Sequence, residues 1–472
     1  MKARDYTPLM AELANAYVRR SPRSKAIQDE AVNYLVDGGS HSLRLIKPFP
    51  PRIAAAHGAW LTDEDGHQIM DLWQGHMANI LGHNPPEITV PLAEAMSGGF
   101  GLQTGFTDQL QVDTARILCR QTGSERVRFT TSGALATMYA IMLGRAFTGR
   151  ELVLKVGGGW HGSQPWALKG IDYHGGVGNG YQAVESNGVP AAVTDQVLVT
   201  PFNDPDRLRD LFRANGDRMA CFIMEPFIGV GGYMPASAQF VQAARELSQQ
   251  YGVVLILDEV IAGFRFRAGN MGALYGIQPD LATFGKIIGG GMPVAAVAGR
   301  ADIMDLAGVS EGGSRAYKAA RVKFSGGTYS AHPASMLAAR TMMTYLVDHE
   351  AEIYPRLGEL GDLARQTVRD AFAAEGIYAH VTGGDGSLPG SSMFMLHFPF
   401  EPDRPIVSPS DCFDPDRCDI TLCHAVLDLA MLVGDVFMLH SHAGISTAHS
   451  ESDIAFLGEA CRQAAHRIKP YL

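Results

Sequence analysis

Cysteine is scarce in this chain, with six in 472 residues. That is too few for the disulfide framework of a small secreted domain. Cys412, Cys418 and Cys423 precede His424, but their spacing matches none of the common zinc patterns, so free thiols and no metal are expected. Long apolar runs are missing too. No charge-free stretch reaches the ~20 residues that span a bilayer, and Asp5 and Glu12 interrupt the apolar N-terminal stretch. The expectation is a cytoplasmic protein with no membrane partner. Positive charge is in deficit, 39 Lys and Arg against 49 Asp and Glu without a long basic run, so no nucleic-acid partner is expected either.

What is present suits an ordinary globular chain: 46% apolar residues and 19% charged ones. The length exceeds the ~250–300 residues of a single core, which calls for a large domain and at least one smaller one. Leu9, Leu13 and Val18 predict helix over the first ~35 residues, with Pro22 just beyond a basic end. AAAHGAWLTDEDGHQIMDLW reads as two strands joined by a turn at Asp65-Gly66. From about residue 105 to 300, helical runs alternate with short apolar ones such as ELVLKV, ACFIMEP and VVLILDEV, the pattern of an α/β fold with a parallel sheet covered by helices. Further helices are expected near 335–347, 356–375 and 451–467, and strands near 392–398 and 436–440. Segments 308–323 and 400–418 read as surface loops or lids.

Ligands of such sheets sit beyond the carboxyl ends of the strands, and the polar residues gather there. In FTTSGALATMYAIML a strand meets a turn at Ser132-Gly133 and a helix opening near Ala134, which suits a phosphate, with a hydroxyl of Ser132 or Thr131 as an extra donor. KVGGGWHG uses three glycines to deliver Trp160 and His161, an aromatic plate for a planar ring. VVLILDEV ends in Asp258 and Glu259, carboxylates that a cation such as a protonated pyridine would satisfy. Lys286 lies between Phe284 and Ile287 ahead of Gly289, Gly290 and Gly291, and desolvation there makes its amine nucleophilic. Singly, each has a plainer reading: a capped helix, a core tryptophan, a metal or ribose ligand, a surface lysine before a turn. Together they complement pyridoxal 5'-phosphate group for group.

FTTSGALATMYAIMLGRAFTGRELVLKVGGGWHGS, FIMEPFIGVGG, LILDEVIAGFR, YGIQPDLATFGKIIGGGMPVAAVAGRADIM and FSGGTYSAHPASMLAA resemble successive blocks of the class III pyridoxal-phosphate-dependent aminotransferases, above all the glutamate-1-semialdehyde 2,1-aminomutase-like subgroup. The resemblance runs from about Gly38 to the C-terminus. It implies the type I pyridoxal-phosphate fold: a large cofactor-binding domain over 85–340, with a smaller α+β domain built from 1–84 and 341–472. It implies a homodimer with shared active sites. Lys286 would form the Schiff base, Asp258 would pair with the pyridine nitrogen, and Val260 and Trp160 would cover the two ring faces. Ser132, Gly133 and Ala134 would hold the phosphate, with Thr328 reaching in from the other subunit. Glu225 would sit at the ring's hydroxyl edge, with His161 also in the cofactor site. Arg44 follows Gly38-Gly39 where relatives place an arginine for the substrate carboxylate, and His41 competes for that role.

The sequence departs from that family in three places. The usual SGTEA is Ser132-Gly133-Ala134-Leu135-Ala136, which loses one hydroxyl but keeps two backbone donors. His332 stands where the subgroup often has Asn. MLHSHAGISTAHS lacks the glutamate that aminomutases carry before their Ala-His turn, Ser441 or His442 standing nearest. The expected activity is therefore transfer of an amino group from an amine or amino acid, with β- and ω-amino donors favoured by the subgroup, to a keto acid. The alternative is an isomerase of the aminomutase type, or an amino-acid racemase or epimerase.

Overall fold

The computed structural model describes residues 4–173, 180–308, 321–384 and 386–472, and the chain divides into two compact units. One comprises Met1–Pro85, Pro355–Arg404 and Pro415–Leu472; the other comprises Pro86–Tyr354 and Pro405–Asp414.

The second unit is built on a seven-stranded sheet. From edge to edge its strands are Arg126–Thr130, Ala295–Gly299, Leu281–Phe284, Val254–Glu259, Met219–Met224, Leu152–Val156 and Val197–Thr200. All run parallel except Ala295–Gly299, which is antiparallel to both neighbours. Antiparallel neighbours need no crossover helix. The link from Phe284 to Ala295 therefore stays short, and the 3-10 turn Lys286–Gly289 lies on it, at the sheet's end. Met219–Met224 and Val254–Glu259 are buried at every position, as strands covered on both faces must be.

Helix Gly133–Thr148 begins where Ser132 takes the cap position and ends at Gly149, left-handed at φ 70°. Its buried face includes Ala136, Ala140, Ile141 and Leu143, with about 1.5–3 kcal/mol for each large aliphatic side chain removed from water. Gly144 lets the helix sit close on the sheet, because a Cβ there would come within 3.0 Å of Cys221 Cβ.

The first unit has its own core, around Leu9, Leu13, Phe372, Phe394 and Leu457. It holds a four-stranded sheet, Ile53–His57, Trp60–Asp63, Gln68–Asp71 and Val436–Phe437, and a three-stranded one, His380–Val381, Met393–His397 and His442–Gly444. Two sequence expectations change here. The N-terminal helix is two, Thr7–Arg20 and Pro22–Ala31, because Pro22 has no N–H to continue the first and opens the second. The predicted pair of strands is three, because Gly58, at φ 57°, turns the chain before Trp60. The expected helices and strands of the C-terminal part are present as Pro333–Asp348, Glu350–Ala374, Met393–His397, Val436–Phe437 and Glu451–Ile468. Segment 400–418 contains a short helix, Pro409–Phe413, opened by a capping box between Ser408 and Asp411. Of the lid expected over 308–323, residues 309–320 lie outside the described ones.

Candidate active site

Asp258 is 4% exposed near the end of the central strand. Such a carboxylate must be satisfied locally. Its Oδ1 accepts from Thr283 Oγ1 at 2.9 Å and from the backbone N–H of Val260 at 3.1 Å; its Oδ2 lies 2.8 Å from His161 Nδ1. Thr283 is brought there by register, since Asp258 stands opposite it in the parallel pairing. His161 is buried, with its carbonyl held by Thr137 Oγ1 at 2.6 Å. Desolvation pushes the imidazole pKa below its ordinary value against the opposing pull of Asp258. Its Nε2 is buried with no hydrogen-bond partner among the described residues.

Glu225 follows the strand Met219–Met224. Its Oε1 accepts from Trp160 N–H at 2.8 Å and its Oε2 from Gly229 N–H at 2.9 Å. Burial, with the Asp258 charge added, holds its carboxyl well above the usual carboxylate range. Glu259, the other acid of that strand end, faces away: it accepts from Met271 and Gly272 N–H groups and fastens a turn.

Lys286 is half-buried, enclosed yet with some access to solvent. Desolvation lowers its amine to about 8; Asp258 and Glu225 resist that shift and Arg265 adds to it. Its φ of 49° is left-handed, a strained setting for a side-chain-bearing residue and one that concentrates at functional sites. Close approach of the surrounding backbone depends on two glycines. A Cβ at Gly133 would lie 2.9 Å from Val260 Cγ1, and one at Gly285 would lie 3.3 Å from the same atom. Val260 is thereby bracketed between the lysine's segment and the helix that starts at Gly133.

At that helix N-terminus the Ser132 side chain accepts from Leu135 N–H at 3.4 Å. Helical geometry leaves the N–H groups of Gly133 and Ala134 without an intrahelical acceptor, the arrangement that receives anions. Gly162, at φ 83°, lies so close that a Cβ would meet Ala134 Cα and Cβ at 2.5 Å. The segment after Leu152–Val156 thus touches three parts of the site: Trp160 on Glu225, His161 on Asp258 and Gly162 on the helix start.

The structure therefore gathers Lys286, Asp258, Glu225, His161, Trp160, Val260 and the Ser132-Gly133-Ala134 turn around the strand ends of one unit. Thr328 is exposed, on a turn whose Gly326 approaches Phe129 O. Arg44 and His41 belong to the first unit. There Arg44 Nε donates to His76 Nε2 at 3.0 Å, and the His41 and His76 rings are 4.6 Å apart. His76 lies within the turn Gln74–Met77, whose four residues all have left-handed φ. Asp71 secures that turn by accepting from Trp73 and Gln74 N–H groups. Sequence reasoning missed Thr283, whose role depends on register, and Lys155, whose charge inside an apolar strand was a readable signal.

The parallel sheet, the strand-end lysine and acid and the anion-ready helix start define a protein of the type I pyridoxal-phosphate fold. The class-III aminotransferase family profile matches residues 46–387, and the chain belongs to that family, whose members depend on pyridoxal phosphate. A glutamate-1-semialdehyde 2,1-aminomutase of Methanoculleus marisnigri is 34% identical over 446 residues, covering 93% of this chain and 98% of that protein. Its counterpart in Deinococcus radiodurans is 33% identical, covering 95% and 96%. Among solved structures, an omega-transaminase of Sphaerobacter thermophilus superposes with a TM-score of 0.84 at 29% identity, covering 95% of this chain and 99% of its own. A beta-phenylalanine aminotransferase of Variovorax paradoxus gives 0.80 at 26%, covering 97% of each.

Proposed function

We propose that this protein transfers an amino group from an amine or amino acid to a keto acid, with Lys286 as the amine that holds pyridoxal phosphate. The observation that carries the reading is the pairing of an amine lowered by desolvation to about 8 with a buried, hydrogen-bonded carboxylate, Asp258, at adjacent strand ends. The cofactor fits the polar atoms present. The unpartnered, buried His161 Nε2 and the uncapped N–H groups of Gly133 and Ala134 are sites that a polar, phosphorylated ligand satisfies. When bound, pyridoxal phosphate supplies an aldehyde for attachment and a ring that draws electrons from the substrate's Cα.

The chain's own residues do the rest. Gly133, Ala134 and Ser132 would hold the phosphate and Asp258 would keep a proton on the ring nitrogen, while His161 and Thr283 keep Asp258 in place. Glu225 would face the cofactor's hydroxyl, and Val260 and Trp160 would pack against its ring. Lys286 Nζ would act as the general base that takes the proton from the substrate's Cα. A homodimer is part of this reading, with Thr328 adding its hydroxyl to the phosphate held by the other subunit. Arg44 and His41, next to His76, are the candidates for a substrate carboxylate.

Transfer between two substrates is favoured by the segment Met438–Ser450, which has no acid. Ser441 there donates to Cys423 O and His442 is buried, so neither replaces the missing carboxylate. A second reading is an isomerase acting within one substrate. The curated relatives, named aminomutases at 31–34% identity, fit it at least as well as they fit a transaminase. Adding an amino donor alone to the cofactor-loaded protein separates the two. Release of a keto product with accumulation of pyridoxamine phosphate marks a transaminase; interconversion of one substrate with no second amino acid marks an isomerase. A protein that binds no cofactor, or a Lys286→Ala variant with full turnover, refutes both.

A further inference from the structure

The segment that carries Trp160 and His161 leaves the strand Leu152–Val156 and closes on itself at a narrow neck. Gly158 N–H donates to Gly170 O at 2.9 Å, and Gly159 N–H to Val156 O at 3.2 Å. Inside this neck lies a second lysine that the proposed chemistry does not use. Lys155 is 0% exposed. Its Nζ donates to Gly159 O at 3.0 Å on the outgoing side and to Lys169 O at 2.8 Å on the returning side, with Gly170 O at 3.4 Å. One amine thus ties both ends of the segment together. The rest of the neck is tight: a Cβ at Gly157 would strike the Tyr181 ring at 2.5 Å, and one at Gly158 would strike Pro409 at 2.6 Å. Backbone groups buried in such surroundings need partners, and Lys155 provides them.

We propose that Lys155 is a positioning residue: its amine clamps the neck over 159–170 and so sets Trp160 on Glu225 and His161 on Asp258. The inference rests on the cofactor reading above for its consequence, but not for the clamp itself. Burial lowers the amine to about 7 while Glu225 and Glu185 oppose the shift, so this lysine is desolvated much as Lys286 is. What separates the two is geometry. The N–H groups of Lys155 are directed at three carbonyls and the residue has no access to solvent, whereas Lys286 is partly accessible.

The test replaces Lys155 by Met, which fills most of the stem's space with apolar atoms and removes the donors, and by Gln, equal to Met in length but carrying an amide N–H that can serve one side of the neck. Amide hydrogen exchange of the cofactor-free protein and the cofactor dissociation constant from fluorescence titration are read beside the melting temperature. In Lys155→Met, exchange at Trp160 and His161 should rise about tenfold or more, and cofactor binding should weaken by about tenfold. Lys155→Gln should fall between Met and wild type in both. Wild-type exchange and wild-type cofactor affinity in Lys155→Met overturn the clamp. If Lys155→Met does not fold, wild-type values of both in Lys155→Gln overturn it alone. A wild-type protein that binds no cofactor sinks the functional reading, while the exchange comparison still decides the clamp.

Discussion

Replacing Asp258 by Asn removes one charge and almost no volume, which isolates what the carboxylate contributes. In the folded protein its Oδ1 serves Thr283 Oγ1 and Val260 N–H, and its Oδ2 faces His161 Nδ1. Asn can keep the Oδ1 bonds, but it then turns an NH2 group toward His161 Nδ1. The imidazole answers by moving its proton to Nε2, which has no hydrogen-bond partner among the described residues to oppose the change. The fold should therefore survive with a melting temperature lowered by a few degrees at most. Function should not survive so well. A charge-assisted hydrogen bond contributes about 1.5–3 kcal/mol, so if Asp258 pairs with the ring nitrogen as proposed, its loss should lower turnover by about 10- to 150-fold. There is a second, independent readout. Asp258 holds the Lys286 amine up against burial, so in Asp258→Asn that amine should titrate below about 8. The rate of cofactor attachment to the cofactor-free protein, followed by absorbance across pH, reports it. Wild-type turnover, or an attachment profile displaced to higher pH, would refute the reasoning.

Three further predictions concern Lys286 and Gly162. In the wild-type protein the attachment rate should climb about tenfold per pH unit up to about 8 and then level, because the neutral amine of Lys286 is the reactive form. The same depressed value destabilises the cofactor-free fold fully below about 8; the unfolded chain binds the proton up to about 10.5, so that penalty fades as pH rises between the two values. Lys286→Met should reduce the rise in urea-denaturation midpoints, leaving the part that Lys155 contributes, and an unchanged pH dependence would count against it. Gly162→Ala puts a Cβ 2.5 Å from Ala134 in a left-handed backbone; overpacking of about 1–3 kcal/mol should displace the helix start and weaken cofactor binding about tenfold or more. Unaltered affinity by fluorescence titration would show that the helix start does not hold the phosphate.

Much of the site is legible in local sequence because its parts are local. Ser132 ahead of Gly133 caps a helix, Asp258 closes an apolar strand, and Lys286 sits between Phe284 and Ile287. Each signal needs only its own neighbours. Thr283 is different. It touches Asp258 only because two parallel strands pair in one register, and register is settled by the packing of whole strands. The left-handed turn Gln74–Met77 is likewise invisible in composition, since three of its four residues carry side chains that disfavour that backbone.

The sequence alone determined the class of fold, the order of its strands and helices, and the residue types a pyridoxal-phosphate site requires. The family resemblance singled out Lys286, but immediate neighbours alone do not set it apart from a second lysine. Lys155 and Lys286 both follow apolar residues, both precede three consecutive glycines, and both are desolvated to nearly the same degree. Their surroundings in the tertiary structure differ. Carbonyls of Gly159, Lys169 and Gly170 close around the first, while the second stays partly accessible beside Asp258 and Glu225. A lysine's local sequence sets how much it is dried, but what its nitrogen can react with depends on groups brought there by distant parts of the chain.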